Sequence, residues 1–486
     1  MEGKSIQKPK LVQIPICKYK KDIEAGSAKE KKNDILDLFS NSNNLCSEEE
    51  FKEIKYKLHN ACSEGDLDLI KIYLSETIEN ESKDFTFKID RKNQTASLFK
   101  VNCDIEEVIV PRTVKYESTD YLITSISGTS ENVSIIKFVK DSKVKTIYRF
   151  AFPYDSNIEE IYFPDSLKEL KEGWCYNTDK LNKIKISQSN DRFIMKEDKY
   201  LLGKSDQNKD EFDVLLFACR DIEEINIPSN IKIISAGAFS NCEHLTKVEI
   251  PTNSNLQTIE YSAFSCSNIK DIFIPPKVSR ICKNAFFNCE HLTKVEIPTN
   301  SNLQTIEDCA FSYSTINEIF IPSKVSKLCR CAFDYCEHLT KVEIPTNSNL
   351  QIIDVRAFSF SNIEEIYFPD SLKELKEGWC YNTDKLNKIK ISQSNDRFIM
   401  KEDKYLLGKS DQNKDEFDVL LFACRDIEEI NIPSNIKIIS AGAFSNCEHL
   451  TKVEIPTNSN LQTIEYSAFS CSNIKDIFIP PKVSRI

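Results

Sequence analysis

Glycine is scarce in this chain, with only 10 glycines in 486 residues. Glycine-rich loops that bind phosphate groups are therefore not expected. No stretch approaches the roughly 20 apolar residues of a membrane-spanning helix, and no apolar run follows the charged N-terminus as it does in a secretory signal peptide. These absences predict a cytoplasmic protein that does not insert into a membrane.

An excess of positive charge is also missing. The chain has 64 basic and 75 acidic residues, a net charge of −11, so attraction to phosphate backbones or anionic lipids is not expected. We therefore predict that nucleic acid is not a partner. The 18 cysteines include a recurring set that suits small buried apolar side chains and unpaired thiols: Cys242, Cys289, Cys336 and Cys447.

Internal repetition is the main feature of the sequence. The string Cys-Glu-His-Leu-Thr-Lys-Val-Glu-Ile-Pro begins at 242, 289, 336 and 447. The first three sites are 47 residues apart and a diverged copy lies within each interval, so the repeat unit is about 23 to 24 residues long. A larger duplication makes residues 156–281 identical to 361–486. Counting from Ile105 to Ile474 gives 15 rungs. The sequence therefore predicts a solenoid.

Each unit contains a short alternating segment, such as Val248-Glu249-Ile250, followed by proline. Alternation places apolar side chains inward and the acid outward, as in a strand, and proline then ends the hydrogen-bonded ladder. One unit cannot bury its apolar face alone, so neighbouring units must stack. We expect a parallel concave sheet with short helical or irregular convex segments behind it, over residues 103–486.

The unit resembles the BspA-like (Treponema-type) leucine-rich repeats, which run Leu-x-x-Ile-x-Ile-Pro, then Val-x-x-Ile, then Ala-Phe-x-x-Cys. The match covers roughly residues 100 to 486. It extends to an inserted hairpin at 193–217 that recurs at 398–422. Such proteins form large families in protozoan parasites, often described as surface antigens. The resemblance implies recognition or adhesion by a non-enzymatic protein.

The N-terminal part differs from the repeats. Residues 1–45 are polar and lysine-rich, which predicts disorder. Residues 46–82 carry a helical apolar pattern and resemble one ankyrin-like hairpin. Residues 83–102 have the pattern of a β-hairpin that leads into the first repeat.

The outward strand positions are candidate binding residues. The third position of each rung alternates in charge without exception, which favours either register and solubility or a charged binding stripe: Glu160, Lys183, Glu224, Lys247, Asp271, Lys294, Glu318, Lys341, Glu365, Lys388, Glu429, Lys452 and Asp476. The fifth position carries aromatics and acids, which either favour strand formation or anchor a partner. The candidate binding residues there are Tyr162, Phe273, Phe320, Tyr367, Phe478, Glu296 and Glu343.

Catalytic and metal sites are not predicted, and no cofactor is expected. Four of the five histidines occupy one repeat position, where copies on alternate rungs would lie about 10 Å apart. Zinc ligands must instead lie within about 2.3 Å of one ion. The densest thiol cluster is Cys329-Arg330-Cys331 with Cys336, for which a metal or redox function is a minor alternative.

Three functional hypotheses follow. The leading one is a protein–protein recognition scaffold that binds a protein or extended peptide on its concave face. The first alternative is a cell-surface adhesin or surface antigen that binds host matrix, as the resemblance implies. The second is a structural solenoid that self-associates end to end, because the sequence ends at Arg485-Ile486 midway through a unit without a polar cap.

Overall fold

The computed structural model describes residues 75–79, 84–102, 105–153, 155–206, 208–411 and 413–486, together with six isolated positions between 56 and 73. These residues fall into two compact units, which divide at Arg192 and Phe193. Both units consist of stacked repeat turns in a mainly β solenoid, about 16 turns in all. Within the described ranges, no helix is long and apolar enough to cross a membrane.

The first unit contains two sheets. Its strands are β1 (Glu76–Glu79), β2 (Phe85–Asp90), β3 (Thr95–Val101), β4 (Glu107–Val110), β5 (Thr113–Tyr116), β6 (Thr119–Ile126), β7 (Ile135–Phe138), β8 (Thr146–Ile147), β9 (Glu160–Phe163), β10 (Glu169–Leu170) and β11 (Lys183–Ile186). One sheet has the order β1-β2-β3-β6-β8-β10, with β5 paired to β6, and the other has the order β11-β9-β7-β4.

The predicted helical hairpin at 46–82 lies mostly outside the described residues, and so does the predicted disorder at 1–45. Helical geometry is present at the six isolated positions, Tyr56, His59, Ala61, Leu69, Ile72 and Tyr73. The end of the segment is not helical, because β1 pairs antiparallel with β2 and Ile78 lies opposite Phe87. The β-branched pair Thr77-Ile78 suits this strand. From 83 onward, β2 and β3 form an antiparallel hairpin.

The second unit repeats one pattern along its length. Its strands are β12 (Phe193–Lys196), β13 (Tyr200–Gly203), β14 (Val214–Ala218), β15 (Glu224–Asn226), β16 (Ile233–Ile234), β17 (Lys247–Glu249), β18 (Thr258–Ile259), β19 (Asp271–Phe273), β20 (Arg280–Ile281), β21 (Lys294–Glu296), β22 (Thr305–Ile306), β23 (Glu318–Phe320), β24 (Lys327–Leu328), β25 (Lys341–Glu343), β26 (Ile352–Ile353), β27 (Glu365–Phe368), β28 (Glu374–Leu375), β29 (Lys388–Ile391), β30 (Phe398–Lys401), β31 (Tyr405–Gly408), β32 (Val419–Ala423), β33 (Glu429–Asn431), β34 (Ile438–Ile439), β35 (Lys452–Glu454) and β36 (Thr463–Ile464).

Each repeat turn gives one strand to each of two parallel sheets. The predicted alternating segments form a six-stranded sheet of order β19-β21-β23-β25-β27-β29, with shorter pairs β15-β17 and β33-β35. The two-residue strands form a second sheet, in which β14-β16-β18-β20-β22-β24-β26-β28 follow one another. In the first sheet the middle residue of each three-residue strand is buried and the outer two are accessible. This burial pattern follows from the strand period of two.

The Ala-Phe segments form the third side of each turn. The sequence prediction allowed short helical or irregular segments there, and in the second unit they are irregular turns rather than helices. Each segment has two residues with positive φ. One directly precedes the alanine, such as Cys309 at 55°, and the other lies two residues after the phenylalanine, such as Tyr313 at 61°. An α-helix does not tolerate such residues. The backbone instead bonds from turn to turn, as when Phe311 N–H donates to Ala332 O over 2.9 Å.

A column of phenylalanines fills the interior of the second unit. Phe286, Phe311 and Phe333 are fully buried, and their rings stack in parallel with centroid distances of 5.1 and 5.4 Å. The column continues in both directions through Phe264, Phe239 and Phe358. Because each ring contacts the ring of the next turn, the core is built from neighbour-to-neighbour contacts.

The recurring cysteines lie beside this column. Cys289 and Cys336 are fully buried, and their thiols donate to Phe264 O and Phe311 O over 3.1 Å. Burial raises the pKa of the Cys289 thiol to about 12. Both residues carry free thiols rather than disulfides. Their role as small buried side chains agrees with the sequence interpretation.

Two inserted meanders interrupt the repeats. In the first, β12, β13 and β14 pair antiparallel in order, and β14 then pairs in parallel with β16. The second, β30–β32, repeats this arrangement and joins β34. Inside the first insert, Asp213 is buried and accepts hydrogen bonds from Ser205 and Lys232 at 2.7 Å each. The Asp213 carboxylate thus ties the loop of the insert to Lys232, which precedes β16.

Candidate functional site

The outward side chains of the six-stranded sheet β19-β21-β23-β25-β27-β29 are here called the strand face. Third-position residues lie directly opposite one another on neighbouring strands. The opposed pairs here and in the other short sheets have opposite charge: Glu160–Lys183, Glu224–Lys247, Asp271–Lys294, Lys294–Glu318, Glu318–Lys341, Lys341–Glu365, Glu365–Lys388 and Glu429–Lys452. The alternation seen in the sequence therefore becomes a cross-strand charge ladder.

Ion pairs along this ladder run in two directions. Lys388 contacts Glu365 across strands at 2.8 Å, and the hydrogen bonds from Lys388 and Lys390 lower the pKa of the Glu365 carboxyl. On other rungs the lysine pairs within its own strand, as Lys294 does with Glu296 at 3.2 Å. All these groups are well exposed. Such pairs contribute about 0–1 kcal/mol each, so they set register and surface charge more than stability.

Fifth-position residues alternate between aromatics and charged groups on the strand face. Phe273 lies opposite Glu296, Phe320 opposite Glu343, and Tyr367 opposite Lys390. The three aromatic side chains are half-buried, whereas Glu296 and Glu343 are exposed. From β19 to β27 the outward third and fifth positions carry five carboxylates and two lysines. This part of the strand face is therefore both aromatic and acidic.

The other two predicted aromatics have different surroundings. Phe478 is 50 % exposed and lies next to Ile477, which bridges to Val453. Tyr162 belongs to the first unit, where its hydroxyl donates to Glu160 at 2.8 Å. Lys137 and Lys183 lie over the Tyr162 ring, with 5.4 and 5.8 Å between Nζ and the centroid. Tyr162 thus already holds cations of its own chain on its ring.

Sequence reasoning missed a second aromatic row, at the left-handed positions of the Ala-Phe turns. Tyr313, Tyr335 and Phe360 have φ values of 54° to 61°, and their rings stack with centroid distances of 4.6 and 4.1 Å. Bulky side chains are uncommon at such φ values, so the stacking stabilises them there. The available signal was the aromatic residue that follows Phe by two positions in consecutive repeats.

The repeated histidines do not come together. His244, His291, His338 and His449 are exposed in separate turns. Among the described residues, no cluster of three or more His, Cys, Asp or Glu side chains has the geometry to hold a metal ion. The thiols of Cys329, Cys331 and Cys336 differ in setting, because Cys336 is fully buried while the other two are partly accessible.

A buried carboxylate next to the missed aromatic row gives a pH-dependent prediction. Asp334 is 5 % exposed, and burial raises its pKa to about 6 although Arg356 lies 3.3 Å away. An unfolded aspartate ionises near 3.9. Because the folded pKa is the higher one, protonation of Asp334 stabilises the fold at low pH, and this contribution is lost as the pH rises through 6.

We expect the contribution of Asp334 to the free energy of unfolding to fall by about 1 kcal/mol between pH 5 and pH 8. Urea unfolding of the wild type and of Asp334→Asn at both pH values measures this difference. The variant should lose less stability than the wild type on going to pH 8. Asp370→Asn, at an exposed aspartate, is the control. Equal pH dependence in wild type and Asp334→Asn would contradict the assignment.

Comparison with known proteins gives one family. The family described as "BspA type Leucine rich repeat region" matches six copies of its repeat region in this chain, over residues 102–196, 213–340, 299–401 and 418–486. These ranges cover most of the chain. Among curated proteins, none matches it significantly.

Several solved structures are similar to the chain at low identity. The pneumococcal vaccine antigen PcpA is 18% identical, with 60% of this chain and 71% of that chain covered and a TM-score of 0.45. A leucine-rich repeat protein from Bacteroides ovatus is 19% identical, with 83% and 88% covered and a TM-score of 0.41. A leucine-rich cell surface protein from Faecalibacterium prausnitzii is 20% identical, with 82% and 93% covered and a TM-score of 0.40.

Proposed function

Because the chain belongs to the BspA-type leucine-rich repeat family, we propose that it is a recognition scaffold whose strand face binds an extended segment of a partner protein. The observation that carries this proposal is the alternation of half-buried Phe273, Phe320 and Tyr367 with exposed Glu296 and Glu343 along one sheet. Aromatic side chains are common energetic anchors of protein interfaces.

The charge of the strand face indicates which side chains the bound segment should carry. Its carboxylates outnumber its lysines between β19 and β27, which favours a segment that carries lysine or arginine. Cations bind over aromatic faces with about 0.5–2 kcal/mol of attraction. Tyr162 supplies a precedent within the chain, since Lys137 and Lys183 lie over its ring beside Glu160.

The spacing of the aromatic residues on the strand face indicates the backbone conformation of the bound segment. Neighbouring strands lie about 4.8 Å apart, so aromatics on alternate strands lie about 10 Å apart. A polyproline II segment rises about 3.1 Å per residue with three residues per turn, which brings every third side chain to the same side about 9 Å further along. The proposed ligand is therefore an extended segment with a basic side chain at every third position.

Synthetic peptides test this proposal. A proline-rich peptide with lysine at every third position should bind the wild type, and the triple variant Phe273→Ser, Phe320→Ser, Tyr367→Ser should bind it at least about tenfold more weakly, as expected for interface anchors. Fluorescence anisotropy measures both affinities. Affinity should also fall with added salt because carboxylates contribute.

Two controls make the result specific. A peptide with glutamate in place of lysine tests the charge, and the triple variant Phe287→Ser, Tyr313→Ser, Tyr335→Ser removes three aromatics that lie on the Ala-Phe side of neighbouring turns. Circular dichroism checks that both variants keep their fold. The proposal fails if the strand-face variant binds as tightly as the wild type, or if the glutamate peptide binds equally well.

The place where such binding occurs is a separate question. An intracellular scaffold and a cell-surface adhesin would both use the same face in this way. Protease treatment of intact cells, followed by detection of the segment from Ile184 to Ile225, distinguishes them. Loss of the segment supports the surface setting, and protection until lysis supports the intracellular one.

A further inference from the structure

Two cysteines occupy the same position on neighbouring turns of the second unit. Cys309 precedes Ala310-Phe311, and Cys331 precedes Ala332-Phe333. Both residues have a φ of 55°. Cys309 N–H donates to Arg330 O and Phe311 N–H donates to Ala332 O, each at 2.9 Å, so the two turns run side by side in register at this point.

This register brings the two thiols together. Cys309 and Cys331 occupy opposed positions of the two paired turns, and each thiol perturbs the pKa of the other. Hydrogen-bonded chain segments are about 4.8 Å apart, which falls within the Cα–Cα range of about 4.4–6.8 Å that disulfides require. Both side chains are partly accessible, unlike the fully buried Cys289 and Cys336. The nearby Cys329 occupies a different position in its turn and is not part of this pair.

The surroundings make the two thiols unequal. The hydrogen bond from Cys331 lowers the pKa of the Cys309 thiol to about 7, against the effect of burial and with help from Lys283 and Arg330. The same hydrogen bond and burial raise the pKa of Cys331. Burial raises the pKa of Cys329 to about 11. Cys309 is therefore the thiol that ionises first near neutral pH, and thiolates are the reactive form.

We propose that Cys309 and Cys331 are a redox modification site, at which reaction with a low-molecular-weight disulfide forms a reversible disulfide bond between adjacent turns. In the first step the Cys309 thiolate attacks one sulfur of the small disulfide, whose S–S bond breaks and releases one thiol. The Cys331 thiolate, after giving its proton to solvent, then attacks Cys309 Sγ and releases the second thiol. The small disulfide is reduced to two thiols, and the two cysteines are oxidised.

The bond would join the turns that flank β23. The segment from Cys309 to Cys331 contains β23 and β24, so the bond closes this repeat into a loop. A disulfide that closes a loop restricts the unfolded chain and so opposes local opening of the turns. The oxidised protein should therefore show slower hydrogen exchange between residues 309 and 331 than the reduced protein.

Titration of the full chain with mixtures of oxidised and reduced glutathione tests the proposal. Free thiols are alkylated after equilibration, and peptides are analysed by mass spectrometry. We expect a crosslink between the Cys309 and Cys331 peptides in oxidising mixtures and its loss in reducing ones. In the reduced protein at pH 7, iodoacetamide should modify Cys309 more than about tenfold faster than Cys329.

Serine variants separate the two roles. Serine occupies the same position in another turn at Ser262, with a φ of 51°, so these replacements suit the backbone. Cys331→Ser should accumulate a glutathione adduct on Cys309, Cys309→Ser should form neither adduct nor crosslink at this site, and Cys329→Ser should behave as the wild type. The proposal is overturned if Cys309 and Cys331 stay alkylated in every mixture, or if oxidation joins them to other cysteines instead of to each other.

Discussion

Replacing Phe311 by alanine is expected to lower the free energy of unfolding of the second unit by about 3–5 kcal/mol, the usual cost of removing a buried aromatic ring. Phe311 is fully buried, and its ring lies in parallel stacks with Phe286 at 5.1 Å and Phe333 at 5.4 Å. Alanine leaves a cavity between two rings that the backbone ladder holds in place, so neighbouring turns cannot close the gap fully.

Urea unfolding followed by circular dichroism measures this effect. Phe311→Leu keeps most of the volume and should cost clearly less than alanine. Tyr313→Ala is the matched control, because Tyr313 lies two residues further on, stacks on Tyr335 and is 42% exposed. If Phe311→Ala and Tyr313→Ala were equally stable, the phenylalanine column would not be the main stabilising contact of these turns.

Replacing Arg425 by methionine is expected to destabilise the second unit by about 2–4 kcal/mol, because several buried carbonyls lose a charged donor. Arg425 is 3% exposed. Its guanidinium donates to Thr383 O at 3.3 Å and Cys380 O at 3.5 Å, on the turn before the second insert, and to Ala443 O at 3.2 Å, on the turn after it. It also lies 4.5 Å from the centre of the Phe422 ring.

The arginine thus joins two turns that the insert separates in sequence. The equivalent Arg220, just after the first insert, likewise donates to the following turn, at Ala238 O and Gly237 O. Arg425→Lys should recover only part of the stability, because one ammonium group lacks the fork geometry of guanidinium. Hydrogen exchange should increase near residues 380–386 and 443–450 in Arg425→Met. Lys385→Met, at an exposed lysine of the same region, serves as control, and equal exchange in both variants would contradict the assignment.

Much of the fold was predictable from the repeat. Alternation in segments such as Lys294-Val295-Glu296 specified short strands with the middle residue inside, and the structure has Val295 buried between two exposed neighbours. The alternating charges were also recognisable before the structure was known. Equal repeat lengths place equivalent residues opposite one another, so Lys294 lies across from both Asp271 and Glu318.

The convex side was less predictable. The turn segment Asp308-Cys309-Ala310-Phe311 has a composition that suits a helix as well as a turn, and no glycine marks its left-handed residue. The backbone at Cys309 and Tyr313 is left-handed because the hydrogen bonds to the next turn outweigh the cost of that conformation. Local sequence does not contain those bonds.

The residues of the candidate site were also only partly predictable from the sequence. Phe273, Phe320 and Tyr367 were identifiable as outward aromatics because position within a strand determines the side of the sheet. The stack of Tyr313, Tyr335 and Phe360 was missed, since its members come together only through the left-handed turns.

The sequence by itself determined the repeat length, the strands, the buried positions and the alternation of charge, because all of these depend on residues close in the chain and on periodicity. Only the tertiary structure decided the contacts between turns where the repeats differ. Arg425, for example, reaches Thr383 across an insert. The physical reason is that such neighbours are set by the path of the backbone between turns, which depends on hydrogen bonds and packing over the whole stack.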